Sequence, residues 1–334
     1  MRIFWDPRQR EHAPARELHN GGFVAFAETA SRADSILAAV GDTELPADQG
    51  EAPLLRAHTQ AYVDFLKGAH GDWLAAGRTG DAHGYVWPAV RRRPLDLKRI
   101  DAKLGQYSYD ASTPVAAGTW ASAYWGAQSA LSALEALLSG ERSAFALCRP
   151  PGHHCGADYM GGYCYLNNAA IAAEAAIAAG KSRVGILDID YHHGNGTQDI
   201  FYARGDVLFV SIHADPGMDY PYYWGRADEI GEGPGEGANL NLPLLRGANL
   251  TDYEPALDAA LGRIAAFAPD LLIVSHGADT YTRDPISFFN LETRDYPVIA
   301  RRIASTGYPT LIVMEGGYAV DALGDNVAAF LSGF

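Results

Sequence analysis

Short apolar runs alternate along the chain with longer alanine-rich stretches in which apolar residues recur at helical spacing. AFALC (144–148), RVGILDI (183–189), VLFVSIH (207–213), LLIVSH (271–276) and TLIVME (310–315) have the pattern of strands buried on both faces. Between them, WASAYWGAQSALSALEALLSG (120–140), NNAAIAAEAAIAAG (167–180) and YEPALDAALGRIAAFA (253–268) read as helices, the first two closed by Gly140 and Gly180. This alternation predicts an α/β fold with a parallel sheet between helical layers. No repeat or linker divides the chain, so one domain is expected. Residues 78–118, rich in Arg, Gly and Pro, and GEGPGEG (231–237) read as surface loops.

At 334 residues and 48% hydrophobic, the chain is long enough to bury a large core. A formal charge of −14 argues against nucleic acid as a partner. No stretch approaches membrane-spanning length, and the opening MRIFWDPRQREH has no apolar signal core, so a cytoplasmic protein without a membrane partner is expected. Cys148, Cys155 and Cys164 form an odd set without a C-x-x-C pair. That set fits a reducing compartment and argues against a structural Cys/His zinc knot.

Ligands of open parallel sheets bind beyond the carboxyl ends of the strands, and there the polar residues gather. RPPGHH follows the first run, Asp190, Tyr191, His192 and His193 the second, GAD (277–279) the fourth and GGY (316–318) the last. A lone histidine at a strand end is ordinarily a hydrogen-bonded core residue; four strand ends delivering such groups to one rim predict a site. In LDIDYHHGNG (187–196), an extended chain would turn Asp188, Asp190 and His192 to one side. A blander reading, less favoured, makes Asp188 a helix cap or an ion-pair partner. Buried carboxylates placed together call for a cation, and Asp190, His192 and Asp279 with one open position make a catalytic metal site. His153 and His154, adjacent on a rigid turn, are candidate bases, and Tyr318 a candidate oxyanion donor; alone, Tyr318 would read as a core tyrosine.

RPPGHH, GGYCYLNN, DIDYHHGNGTQDIFY, GAD, RDPISFF and VMEGGY together resemble the zinc-dependent deacetylases of the arginase/deacetylase superfamily, and among them bacterial acetylpolyamine amidohydrolases, over most of the chain. The resemblance implies a three-layer α/β domain around an eight-stranded parallel sheet. It implies Zn2+ on Asp190, His192 and Asp279, a set that also suits Fe2+ or Co2+. It implies a structural K+ held by Asp188, Ser211 and the backbone carbonyls of Asp190, His192 and Ile212. By the same likeness His153 and His154 share acid and base work, Tyr318 polarises the carbonyl, and Asp188 stands behind His153. Asn195 stands behind His154, where some members carry aspartate. Gly162, Tyr163, Tyr220 and Ile286 match a substrate tunnel and Glu17 an acidic position near its entrance. Asp101 matches another acidic position, while Ser112 replaces an expected glutamate. The implied assembly is a homodimer, with the 78–118 stretch narrowing the entrance. The implied reaction removes acetyl from a small-molecule N-acetylated aliphatic amine, an acetylpolyamine or acetylated diamine. Protein acetyl-lysine, another small amide, or silent binding of acetylated ligands remain alternatives. The tandem histidines and the EGGY tyrosine argue against an arginase-type reaction.

Overall fold

This computed structural model describes residues 1–88 and 96–334; part of the expected 78–118 loop, residues 89–95, lies outside the described residues. Its strands are β1 (Arg2–Phe4), β2 (Arg16–His19), β3 (Gly22–Ala25), β4 (Ser143–Ala146), β5 (Val184–Asp188), β6 (Val207–Ala214), β7 (Asn239–Leu244), β8 (Leu271–His276) and β9 (Thr310–Met314). Among the described residues the main sheet has seven strands in the order β1-β4-β9-β8-β5-β6-β7, every pair parallel. β2 and β3 form a separate antiparallel hairpin.

The helices are α1 (Ser31–Val40), α2 (Leu54–Ala57), α3 (Gln60–Ala75), α4 (Ile100–Gln106), α5 (Thr119–Leu138), α6 (Asn168–Ala178), α7 (Asn195–Phe201), α8 (Leu250–Phe267), α9 (Tyr296–Ala304) and α10 (Val320–Leu331). The strand side chains alternate between two cores. Ile186, Ile273 and Val313 face α3, α5 and α6, whereas Leu187, Val274 and Ile312 face α1, α8, α9 and α10. Burial on both faces is why these strands read as unbroken apolar runs. The three predicted helices correspond to α5, α6 and α8. Asn167 caps α6 by accepting the Ala170 N–H, and Asn249 and Asp252 form a capping box on α8.

The eighth strand expected from the family is absent among the described residues. Outside β1 the sheet edge carries only a single bridge among the described residues, in which the Glu44 N–H donates to Ile3 O (2.8 Å) and the Glu44 carbonyl accepts the Trp5 N–H (3.0 Å). The next residue to face β1 in a parallel ladder would be Pro46, which has no N–H to donate. The 78–118 stretch is also more than a loop, since it contains α4 and an Ala82–Val115 bridge.

Candidate active site

β5 ends at Asp188, so the expected alternation does not reach His192; local turns bring the groups together instead. Asp188 Oδ1 accepts the Asp190 N–H (3.1 Å), and Asp190 Oδ1 accepts the His192 N–H (2.9 Å). Each carboxylate thus bonds the backbone two residues on, as aspartates do in Asx turns. The loop after β8 contributes Asp279, whose Oδ1 accepts the Tyr191 N–H at 3.0 Å. His192 Nδ1 then lies 3.1 Å from Asp279 Oδ2 and 3.3 Å from Asp190 Oδ1. Space for the carboxylates comes from two glycines. A Cβ at Gly277 would sit 2.0 Å from Asp190 Oδ2, and one at Gly316 would sit 2.4 Å from Asp279 Oδ2.

The donor chemistry of Asp190, His192 and Asp279 fits a borderline divalent cation: two carboxylates and an imidazole whose ligand atoms lie within 4.8 Å of one another. Burial disfavours charge on Asp190, but the His153 and His192 imidazoles outweigh it and lower its pKa. Burial and the neighbouring Asp190 push Asp279 up to about 7, so without a cation one carboxylate of the pair is partly neutral. A second cluster, His153, Cys164 and Glu315, also meets the distance requirement. Its Glu315, however, is taken up by the Gly152 N–H (2.7 Å), the His153 N–H (3.1 Å) and the Ser275 hydroxyl (3.1 Å). Its donors are already satisfied within the protein, and it reads as a brace.

The tandem histidines stand with ring centroids 4.0 Å apart and differ in their partners. His153 Nδ1 donates to Asp188 Oδ2 at 2.9 Å. Burial opposes its charge, yet the Asp190 and Asp188 carboxylates raise its pKa to about 10. His154 Nδ1 meets the neutral Asn195 Oδ1 at 2.7 Å. Burial, then the charges of His153 and His192, hold its pKa well below the ordinary histidine value. Donation to an amide oxygen leaves His154 Nε2 as the unprotonated nitrogen.

Tyr318 is buried beside Phe26 and Tyr163, and burial keeps its phenol protonated. The turn before it is fastened by Arg32, whose guanidinium donates to Gly317 O and Glu315 O, both at 2.6 Å. Arg32 is itself paired with buried Glu28 at 2.6 Å.

A cavity of about 1170 Å³ opens above these groups, with His154, His192 and Tyr318 among its lining. The expected tunnel residues Gly162, Tyr163, Tyr220, Ile286 and Glu17 all line it. Gly162 adopts φ +54°, and a Cβ there would strike the His154 ring at 2.2 Å. Glu17 accepts the Tyr163 hydroxyl at 2.9 Å and the Ala27 N–H at 3.3 Å, and burial raises its pKa. Asp101 does not line the cavity; it is buried in ion pairs with Arg78 and Arg99. Ser112 does line it and donates to Asp110 Oδ2 at 3.0 Å. Of the residues matched to a potassium site, Asp188 and Ser211 are paired in the β5–β6 register and Ile212 follows on β6.

Glu315, Asp284 and Asp110 were not assigned roles from the sequence. The first two lie inside the EGGY and RDPISFF motifs; Asp110 carries no signal beyond its nearness to Ser112.

Residues 26–334 match the histone deacetylase domain. The chain is 52% identical to acetylpolyamine amidohydrolase 1 of Pseudomonas aeruginosa, across 97% of this chain and 96% of that protein. It is 43% identical to the acetylpolyamine amidohydrolase of Mycoplana ramosa, across 100% and 99%. The crystal structure of acetylpolyamine aminohydrolase from Burkholderia pseudomallei superposes with a TM-score of 0.96 at 40% identity, covering 100% of this chain and 98% of that one. With the motifs, the parallel sheet and the rim of strand-end ligands in agreement, the chain belongs to the histone deacetylase domain family.

Proposed function

We propose that the protein is a metal-dependent amidohydrolase that removes acetyl from an N-acetylated aliphatic amine, an acetylpolyamine or acetylated diamine, releasing acetate and the free amine. The observation that carries this reading is the meeting of Asp190, His192 and Asp279 with the His153–His154 pair and Tyr318 around one cavity. The names of the relatives support the substrate class.

Asp190, His192 and Asp279 would hold the ion, zinc in the first instance, with iron(II) or cobalt(II) suited to the same donors. Bound there, it supplies Lewis-acid polarisation of the amide carbonyl and makes water more acidic. His154, neutral in the folded protein, takes a proton from the attacking water at Nε2. Tyr318 donates its hydroxyl hydrogen to the oxygen that gains charge as the carbonyl carbon becomes tetrahedral. His154 then returns its proton to the amine nitrogen as the C–N bond breaks. His153, bonded through Nδ1 to Asp188, steadies the negative charge that develops beside it. Tyr163 and Tyr220 present aromatic walls to an aliphatic chain.

The same reading takes the chain as one catalytic domain, with potassium held near Asp188 and Ser211. Exposed Phe23, Tyr85, Tyr222 and Tyr223 suit a second copy seated against the cavity mouth. Three buried free cysteines suit a reducing, cytoplasmic setting. The test is kcat/KM of the zinc-loaded protein on acetylated diamines, longer acetylpolyamines and an acetyl-lysine peptide. Acetate release fastest from the acetylated diamines or polyamines is expected. Preference for the peptide would move the substrate to acetylated protein, and no turnover of any amide would leave a silent binder.

A further inference from the structure

Among the described residues three carboxylates line the cavity, and two are already satisfied by the protein. Both oxygens of Glu17 accept protein donors, from Tyr163 and Ala27. Asp219 is held at both oxygens by Arg246, at 2.8 and 2.9 Å, which cancels its charge. Asp110 is different. Its Oδ2 accepts the Gly162 N–H (2.8 Å), the Tyr220 hydroxyl (2.8 Å) and the Ser112 hydroxyl (3.0 Å). Its Oδ1 is buried and receives no donor from the described residues. Crowding three donors on one oxygen fixes the carboxylate, and a buried, undonated second oxygen lowers stability unless something else supplies a hydrogen.

Tyr220, whose hydroxyl bonds this carboxylate, belongs to a group of neighbouring aromatic rings. The Tyr109 ring lies 6.1 Å from that of Tyr220 and 5.5 Å from that of Trp224, and Tyr222 lies 6.3 Å from Tyr220. All four line the cavity. Aromatic faces beside a fixed carboxylate are the chemistry that receives an alkylammonium, by cation–π attraction and a charge-assisted hydrogen bond. Resting on the amidohydrolase reading, we infer that Asp110, oriented by Ser112 and walled by Tyr109, Tyr220 and Trp224, forms the subsite for the free ammonium of the acetylated amine. Ser112 then does not mark a loss of negative charge at the cavity: the charge stands two residues earlier, and the serine hydroxyl aims it.

The test compares N-acetylputrescine with N-pentylacetamide, which replaces the ammonium by a methyl group. The zinc-loaded protein is expected to prefer the cation. Asp110→Asn is expected to lower kcat/KM for the cation about tenfold or more while leaving the neutral amide within about threefold. Ser112→Ala, which removes one of three orienting donors but keeps the charge, is expected to weaken the preference less than Asp110→Asn does. An unchanged preference in Asp110→Asn, equal loss on both amides, or a larger loss of preference in Ser112→Ala than in Asp110→Asn would each overturn the subsite. Binding of 1,4-diaminobutane, followed by calorimetry, separates this inference from the reaction. If no acetamide is hydrolysed, the amidohydrolase reading falls; an Asp110→Asn Kd weakened about tenfold still upholds the subsite, and an unchanged Kd overturns it.

Discussion

Asp284 Oδ2 accepts the backbone N–H of Tyr318 at 2.6 Å, and the same oxygen accepts the Ala319 N–H at 3.1 Å. Its Oδ1 accepts the N–H of Ile286, a cavity-lining residue, at 3.1 Å. One buried carboxylate therefore sets both the phenol and part of the wall that it faces. Removing a single oxyanion donor by Tyr318→Phe is expected to lower kcat about 100-fold with zinc retained. Asp284→Ala leaves the phenol present but unanchored, and is expected to lower kcat about 10- to 100-fold with zinc content unchanged. Full kcat in either variant, read beside metal analysis, would remove Tyr318 or its anchor from the reaction.

His154 rests on an amide where a carboxylate would hold it charged. Asn195→Asp would place a negative charge at His154 Nδ1, now 2.7 Å from the Asn195 oxygen, and raise the imidazole pKa. A base works only when deprotonated, so raising its pKa moves the acidic limb of the kcat/KM profile to higher pH. An upward shift of about one unit or more is expected. An unmoved acidic limb would show that His154 is not the base.

Glu315 ties the end of β9 to the RPPGHH turn through the N–H groups of Gly152 and His153. Burial raises its pKa to about 7 despite the nearby His153 cation, so an amide there replaces a carboxylate that is only about half ionised at neutral pH. Glu315→Gln keeps an acceptor and is expected to lower unfolding free energy by about 1 kcal/mol. Glu315→Ala strands three buried donors, the N–H groups of Gly152 and His153 and the Ser275 hydroxyl, and is expected to lower it by about 3 kcal/mol or more. Denaturant melts of the two variants check the difference; equal losses would show that the bonds to the turn do not matter.

The five central strands were legible because each is buried over its whole length and reads as an apolar run, and three of the helices because apolar or alanine-rich residues recur along them at helical spacing. β1 was hidden by its length of three residues, and β7 by NLNLPL, where buried Asn239 and Asn241 interrupt the apolar signal. Pro46, which has no N–H to extend the Glu44 bridge, is a detail that a family pattern does not reveal. The metal ligands, histidines and tyrosine were visible because they cluster in short motifs at strand ends. Asp284, Glu315 and Asp110 were not, since each acts on backbone or side chains brought near only by folding. Tyr318 is 34 residues from Asp284, and His153 is 162 from Glu315.

The most direct test of the account is zinc content by elemental analysis of purified protein and its Asp279→Ala variant after equilibrium dialysis against buffered zinc. Asp279 supplies one of three ligand atoms grouped within 4.8 Å, and its loss leaves Asp190 and His192 alone. One zinc per chain is expected in the unaltered protein, and little or none in the variant, with the folded state intact by circular dichroism. A variant that keeps one zinc per chain would contradict the assignment of Asp190, His192 and Asp279 as the metal site.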